Sequence, residues 1–357
     1  STISVGGTWY QYGVDTPGNS YGSAPGGLAN PGLHWETSEQ LDFGLDSRFF
    51  NNRLNFAVDF FNKQTKDLLF SVPVSPELGV SSVMSNGGNV LNRGWEFELG
   101  WRDSIGDFGY SISGNFSTLH NEVLELAARA ARQVNYDASS TNYKIGTAFE
   151  PGYPVWYLLG YIYDGVASDG SAIIRDLNND GEISSADATY IGSSTPTWTV
   201  GLNINLAWKG FDFTLNGFGQ GGNTIIPVTH RTGVKNNFKY YLENSWTESN
   251  KNASLPAPAK VLAADNQFWS STGNAFKGDY FRIQTLQLGY TLPSQLTKKA
   301  AISNLRFYVS LDDFFTFTKY PGLDPSTAST NNTTGAGLDW GSYPTMQKVI
   351  LGVNLTF

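Results

Sequence analysis

The sequence predicts an all-β fold whose antiparallel strands form the wall of a transmembrane β-barrel. Three observations lead there. Over about ten segments, large apolar residues alternate one for one with small or ionised ones, which is the period of an extended strand. The connections between those segments run alternately long and short, as extracellular loops and periplasmic turns do in outer-membrane barrels. No stretch approaches about 18 consecutive apolar residues, so no transmembrane helix is expected. A soluble sandwich shares the first and third features and stays the rival, but it gives no reason for the second.

Ile3 to Tyr12 reads as the first strand, before a Gly-, Pro- and Asn-rich loop through Pro31. Leu41, Phe43 and Leu45 then alternate with Asp42 and Asp46. After the tight turn Asn51-Asn52-Arg53, Leu54, Phe56, Val58 and Phe60 repeat the pattern against Asn55 and Asp59. A polar connection from Thr65 to Gly88 leads to the clearest hairpin. There Trp95, Phe97, Leu99 and Trp101 alternate with Glu96, Glu98, Gly100 and Arg102, a turn falls at Ser104 to Asp107, and Phe108, Tyr110, Ile112 and Phe116 follow. The span His120 to Pro196 is expected to carry a short helix over Glu122 to Val134 and an acidic loop. Trp198, Val200, Leu202, Ile204, Leu206 and Trp208 make the next strand, and Phe211, Phe213 and Leu215 its partner beyond Lys209-Gly210. A long polar segment, Gly219 to Gly278, precedes the strand of Leu286, Leu288, Tyr290 and Leu292. Leu305, Phe307, Val309 and Leu311 follow, and Val349, Leu351, Val353, Leu355 and Phe357 close the series after another long loop. Trp95 with Trp101, and Trp198 with Trp208, sit near strand ends, where interfacial aromatic girdles fall.

Composition narrows the function classes. Only 15% of the 357 residues are charged and 14% are aromatic, against a usual charged share of about 25%. A long β chain so poor in charge has less water-facing surface to cover than a sandwich would. The net charge of −8 argues against nucleic acid as a partner. With no cysteine, thiol catalysis, zinc–thiolate sites and disulfides are excluded. No leader segment opens the chain, which suggests that it begins partway through a longer one.

The most specific local motif runs from Asp176 to Asp187. Asp176, Asn178, Asp180 and Asp187 occupy positions one, three, five and twelve, Glu182 offers its carbonyl at seven, and Gly181 makes the turn at six, the pattern of an EF-hand-like calcium loop. Position twelve is Asp rather than Glu, so bidentate closure has a shorter reach. Ile183 anchors the loop. Calcium here would brace an outer loop rather than catalyse, and the bland alternative is an acidic surface turn. The carboxylate pairs Glu96/Glu98 and Asp312/Asp313 read as polar-face and strand-end charges rather than glycosidase acids. His34, His120 and His230 lack ligand spacing, and the glycines between Gly219 and Gly222 follow no βα pattern. Aromatic residues of the long connections, Trp156, Tyr240, Tyr241, Trp246, Trp269 and Trp340, are candidates for stacking on sugars or holding peptides. Packing within the loops is an equal alternative for them. No catalytic constellation is expected.

Several blocks, taken in order, resemble the C-terminal part of a SusC/RagA-type TonB-dependent outer-membrane transporter. They are Asn30 to Thr37 with Leu45 to Leu54, Lys66 to Leu69, Asn89 to Glu96, Gly152 to Pro154 with Gly160-Tyr161, and Asp176 to Pro196. Lys209 to Asp212, Gly278 to Ile283 with Leu288 to Pro293, Phe315 to Pro325 and Gly352 to Phe357 continue the match. Asp312-Asp313 departs from it, since the family usually has Gln-Asn there. The resemblance implies that residues 1–357 are about ten C-terminal strands of a plugged barrel of about 22. The plug and first strands would then lie outside this chain. It further implies bacterial outer-membrane lipid as surroundings, TonB acting through the plug, a SusD-like surface lipoprotein as lid, and import of oligosaccharides or oligopeptides without enzymatic activity. The Phe357 terminus resembles the signal read by the barrel-assembly machinery. The alternative is a secreted, calcium-braced, carbohydrate-binding β protein.

Overall fold

A computed structural model describes residues 2–12, 18–27, 29–75, 77, 80, 82–126, 133–136, 145–229, 238–263, 266–328 and 337–357. Nine long strands make one antiparallel sheet in chain order. They are β1 (Thr37–Phe49), β2 (Leu54–Lys66), β3 (Gly88–Ile105), β4 (Phe108–Thr118), β5 (Trp198–Trp208), β6 (Phe211–Gly221), β7 (Tyr280–Thr291), β8 (Asn304–Thr318) and β9 (Lys348–Thr356). Each has at least the roughly nine residues a tilted membrane strand needs. His120–Leu126 continues β4 along β3 in the same register, since Glu96 faces Ser117 and Arg93 faces His120. All short turns lie at one end of the sheet and all long connections at the other.

The turns have the chemistry their sequences require. Phe50, Asn51 and Asn52 take φ of +53°, +57° and +64°, and the Arg53 N–H closes the turn on the Phe50 carbonyl at 3.2 Å. Asn tolerates the left-handed region better than most residues. Lys209 and Gly210 both have positive φ, which gives the strands the twist of a type I′ hairpin.

The two faces of the sheet differ as the alternation requires, and one of them is bare. Phe43 is 64% exposed and Leu351 81%, and Leu41, Leu45, Trp95, Phe97, Leu99, Trp208, Phe307, Val349 and Val353 are exposed with them. No second layer covers this face among the described residues, which removes the sandwich. Rings gather near its margins, Phe60 with Trp95 at 4.9 Å, Phe50 with Trp101 at 5.8 Å and Phe211 with Tyr290 at 4.5 Å. The opposite face carries Asp59 beside Glu96, and an Asp212–Arg306 ion pair that spans the intervening Gly289. The buried core lies outside the wall. Ile145, Leu158, Ile226, Val228, Leu255, Phe268, Trp269 and Leu338, all from long connections, form its largest cluster.

Two expectations need correction. The first strand forms as Thr2–Tyr12, but it pairs with Gly18–Gly27, inside the expected loop, in a separate two-stranded sheet. Among the described residues the sheet holds ten strands, the nine long ones and His120–Leu126, and Thr2–Tyr12 is not one of them. Alternation identifies a strand and not its partner. The helix over Glu122 to Val134 is replaced by strand at His120–Leu126 and Gln133–Tyr136, with residues 127–132 outside the described residues. Val123 and Leu126 are three apart, like residues of one helix face. Pairing with β3 and burial of Val123 beside Phe149 override that local preference.

Candidate functional site

The long connections fold back over the end of the wall and form clefts. The larger, of ≈ 550 Å³, has Thr65, Val90 and Asn92 on its wall side, with Leu68, Phe70, Phe149, Val155, Trp156 and Thr195 from the connections. Val90 and Asn92 share the face of Glu96 and Glu98, so this cleft opens toward the polar side of the sheet. A shallow crevice lies between Pro227, Phe238, Tyr240, Tyr241, Tyr320, Pro321 and Leu323. At its base the Tyr320 hydroxyl donates to Asp339, whose other carboxylate oxygen accepts the Gly341 N–H at 2.8 Å. Burial first, then Asp339, pushes the Tyr320 phenol far above its ordinary value.

A buried polar node ties these connections to the wall. Arg282 on β7 donates to Thr316 Oγ1 (2.8 Å), Ser326 Oγ (3.0 Å), Thr345 Oγ1 (2.9 Å) and Asp324 Oδ1 (2.7 Å). Asp324 also accepts the N–H groups of Ser326 and Thr345, both at 2.9 Å. Burial alone would raise the Asp324 carboxyl, but those donors overcome it and hold it down at about 2. The guanidinium bonds end on β8 at Thr316, on the segment of Asp324 and Ser326, and on Thr345, so Arg282 fixes both ends of the last long connection at once.

The acidic loop has the internal bonding of a cation-binding turn. Asp176 accepts the N–H of Asn179 (2.7 Å) and of Gly181 (2.8 Å), Asn178 that of Asp180 (3.1 Å), and Asp180 that of Glu182 (2.8 Å). Gly181 has φ +87° and Asn179 +59°. Asp187 is completely buried, and its carboxylate accepts the Leu177 and Ser184 N–H groups, both at 2.8 Å. The Ser184 N–H, against a smaller opposing effect of burial, and then those of Leu177 and Asn178 hold this carboxyl below the ordinary range, with the Asp176 carboxyl close beside it. Two carboxyl groups drawn together around a tight turn fit an oxygen-loving divalent cation. No three His, Asp or Glu side chains converge as a metal cluster among the described residues. A cation would therefore also lean on Asn178 and on the carbonyl of Glu182.

The structure distributes the aromatic candidates rather than gathering them. Trp156, with φ +51°, packs against Phe149 at 5.4 Å and lines the large cleft. Tyr240 and Tyr241 line the shallow crevice. Trp246 packs over Gly170, and Trp340 is exposed without lining either cleft. Trp269 does not fit a surface role. It is 4% exposed, its indole N–H goes to the Val261 carbonyl at 2.8 Å, and Tyr241 packs edge-on against it at 5.7 Å. A large ring with one donor is what the loop core needed at that point. Asp312 faces Lys348 and Asp313 occupies a left-handed bulge, so they are wall residues. His34 contacts Asp67 and His120 contacts Glu122, while His230 lies outside the described residues. Sequence reading did not single out Arg282, Asp324, Tyr320 or Asp339 as functional. The run from Phe315 to Pro325 carried the signal.

An antiparallel wall with one bare apolar face and a long-loop canopy over its polar face defines an outer-membrane barrel. The chain belongs to the TonB-dependent receptor β-barrel family, whose model, TonB dependent receptor-like, beta-barrel, matches residues 4–220. It is 33% identical over 355 residues to TonB-dependent receptor P3 of Formosa agariphila, covering 92% of this chain and 35% of that one. It is 26% identical over 341 residues to TonB-dependent receptor SusC of Bacteroides thetaiotaomicron, covering 92% and 32%. The structure of the RagAB peptide transporter superposes with a TM-score of 0.75 at 27% identity, covering 99% of this chain and 38% of that one. This chain thus spans about a third of the length of the relatives it matches. Those relatives are receptors and transporters, not enzymes, and the bacterial outer membrane is where such barrels reside.

Proposed function

We propose that this chain is wall and outer loops of a TonB-driven importer that takes up oligomeric nutrients with a SusD-like lipoprotein as lid. The observation that carries the reading is the bare apolar face, which only hydrocarbon covers at no cost. Both β1 and β9 are sheet edges with unpaired backbone groups. In lipid such edges must be paired, and the remaining strands of the same barrel are their partners in this reading, with a plug domain inside. Cargo is held between the lid and the canopy clefts, then released to the periplasm when TonB pulls on the plug.

Oligosaccharide is the favoured cargo. The polar side of the large cleft, with Trp156 among Asn92, Asn121 and Thr195, suits rings and hydroxyls. Oligopeptide is the second reading, supported by the RagAB likeness. Calcium in the Asp176 to Asp187 loop would brace the canopy through Asp176, Asn178, Asp180, Glu182 and Asp187. The test is uptake of labelled oligosaccharides and oligopeptides by cells carrying the full-length protein and its lid, with and without the proton-motive force. Energy-dependent uptake of one class supports the reading, and energy-independent or absent uptake of both refutes it.

A further inference from the structure

The outward face changes character within one step above the apolar belt. Trp95 is the last ring of the belt on β3, and its outward successor is the exposed Arg93, opposite His120. His120 Nε2 lies 2.9 Å from Glu122. A change from indole to ions at one height marks the boundary between hydrocarbon and headgroups.

At that height the wall parts. β4 stays with β5 up to Thr118 and Trp198, and the Leu119 N–H still reaches the Thr197 carbonyl. Four residues on, Val123 has a different neighbour and exchanges backbone hydrogen bonds with Gly152 and Tyr153. Between them lies a cleft of ≈ 210 Å³ bordered by His120, Glu122, Tyr153, Tyr190, Ser193 and Thr195. Its base is a trio of rings. Buried Tyr157, hydrogen-bonded to Glu150, supports Tyr153 at 4.9 Å and Tyr190 at 5.4 Å, which are 36% and 39% exposed. His120 and Glu122 share the face of Trp95, so on that side the cleft opens on the outer flank of the barrel, while Asn121 and Thr195 border both it and the large cleft.

We propose that this cleft binds the saccharide headgroup of an outer-leaflet glycolipid. A pyranose has apolar C–H faces and a rim of hydroxyls, matched here by two supported tyrosine rings and by imidazole, carboxylate and hydroxyl groups. Arg93, exposed beside His120, is placed for a headgroup phosphate. The glycolipid is favoured over a free sugar because its acyl chains lie along Phe97 and Phe116 directly below, which makes headgroup capture nearly intramolecular.

The test uses the full-length protein in phosphatidylcholine nanodiscs titrated with deep-rough lipopolysaccharide, with bound lipid read by native mass spectrometry. Tyr153→Ala/Tyr190→Ala is expected to bind about tenfold more weakly than wild type, the effect of losing about 1.4 kcal/mol of ring contact. Tyr153→Phe/Tyr190→Phe, which keeps the rings, is expected to stay close to wild type. His120→Trp obstructs the cleft mouth from an exposed position and is expected to reproduce the loss should the alanine pair fail to give a heat-modifiable barrel. Unchanged affinity in the folded alanine or tryptophan variants overturns the proposal. So does equally tight binding of the de-acylated headgroup, which would make the ligand a soluble glycan.

Discussion

Removing Arg282 tests how the canopy is held to the wall. Arg282→Met keeps most of the volume and deletes four charge-assisted bonds, leaving Asp324 buried with the Ser326 and Thr345 donors alone. Breaking a buried pair by removing one partner costs about 3–5 kcal/mol. The surviving donors at 2.7–2.9 Å offset part of that, so a loss of about 2–3 kcal/mol is expected. Because those bonds end in residues 316–345, the loss falls on local opening of the last long connection. Amide exchange there should accelerate about 30- to 150-fold while the wall strands stay protected. The pH dependence follows from a carboxyl held at about 2 in the fold and at about 3.9 when unfolded. A depressed carboxylate pKa stabilises fully above about pH 4, and that stabilisation disappears as pH falls toward 2. Exchange in wild type should therefore not change between pH 5 and 8 once intrinsic rates are removed. Unchanged protection in the variant would refute the assignment of Arg282 as the clamp.

Four further outcomes are expected. At Gly210, φ is +89° and a Cβ would meet the Thr291 carbonyl at 2.7 Å, whereas Gly106, at φ +60°, has open space around it; Gly210→Val should sharply lower the yield of heat-modifiable barrel, and Gly106→Ala should cost only about 1–2 kcal/mol. Gly289→Val places carbon about where the Asp212–Arg306 pair crosses, and thermal unfolding in detergent should fall by a few degrees, about 1–2 kcal/mol. Trp269→Ala should destabilise the canopy by about 3–5 kcal/mol, read as faster protease nicking of the outer loops, while the exposed Trp340→Ala stays within about 0.5 kcal/mol. Calcium should suppress nicking between Asp176 and Asp187 and chelation restore it, and Asp187→Ala should abolish the difference; identical nicking with and without calcium would remove the metal.

The wall was legible because its physics is local. Period-two alternation, turn residues such as Lys209-Gly210 and the placement of tryptophans are each written within a dozen residues. Alternation marks a strand without naming its partner, so Ile3 to Tyr12 reads as wall although it pairs with Gly18–Gly27, and the helix-like spacing in Glu122 to Val134 yields to pairing with β3 and burial of Val123 beside Phe149. The canopy was less legible still. Whether a loop tryptophan faces cargo or core depends on contacts a hundred residues away, as between Trp269 and the cluster that includes Ile145. The acidic turn from Asp176 to Asp187 is written in consecutive residues, and its turn bonding is local in the same way. The Arg282 node unites β7, β8 and two loop segments, and only the fold brings its members together.

Single-cysteine spin labels, on a background with any cysteine outside this chain replaced, give the most direct measurement of what the bare face touches; these 357 residues contain none. Labels at Phe43, Leu99 and Leu351 in the full-length protein, reconstituted in lipid, should collide freely with oxygen and be shielded from a water-soluble nickel complex. Labels at the alternate positions Asp42, Glu98 and Asn354 should show the reverse preference. Shielding of the first set from both agents would mean that protein covers those side chains, and the account of this chain as membrane wall would fail.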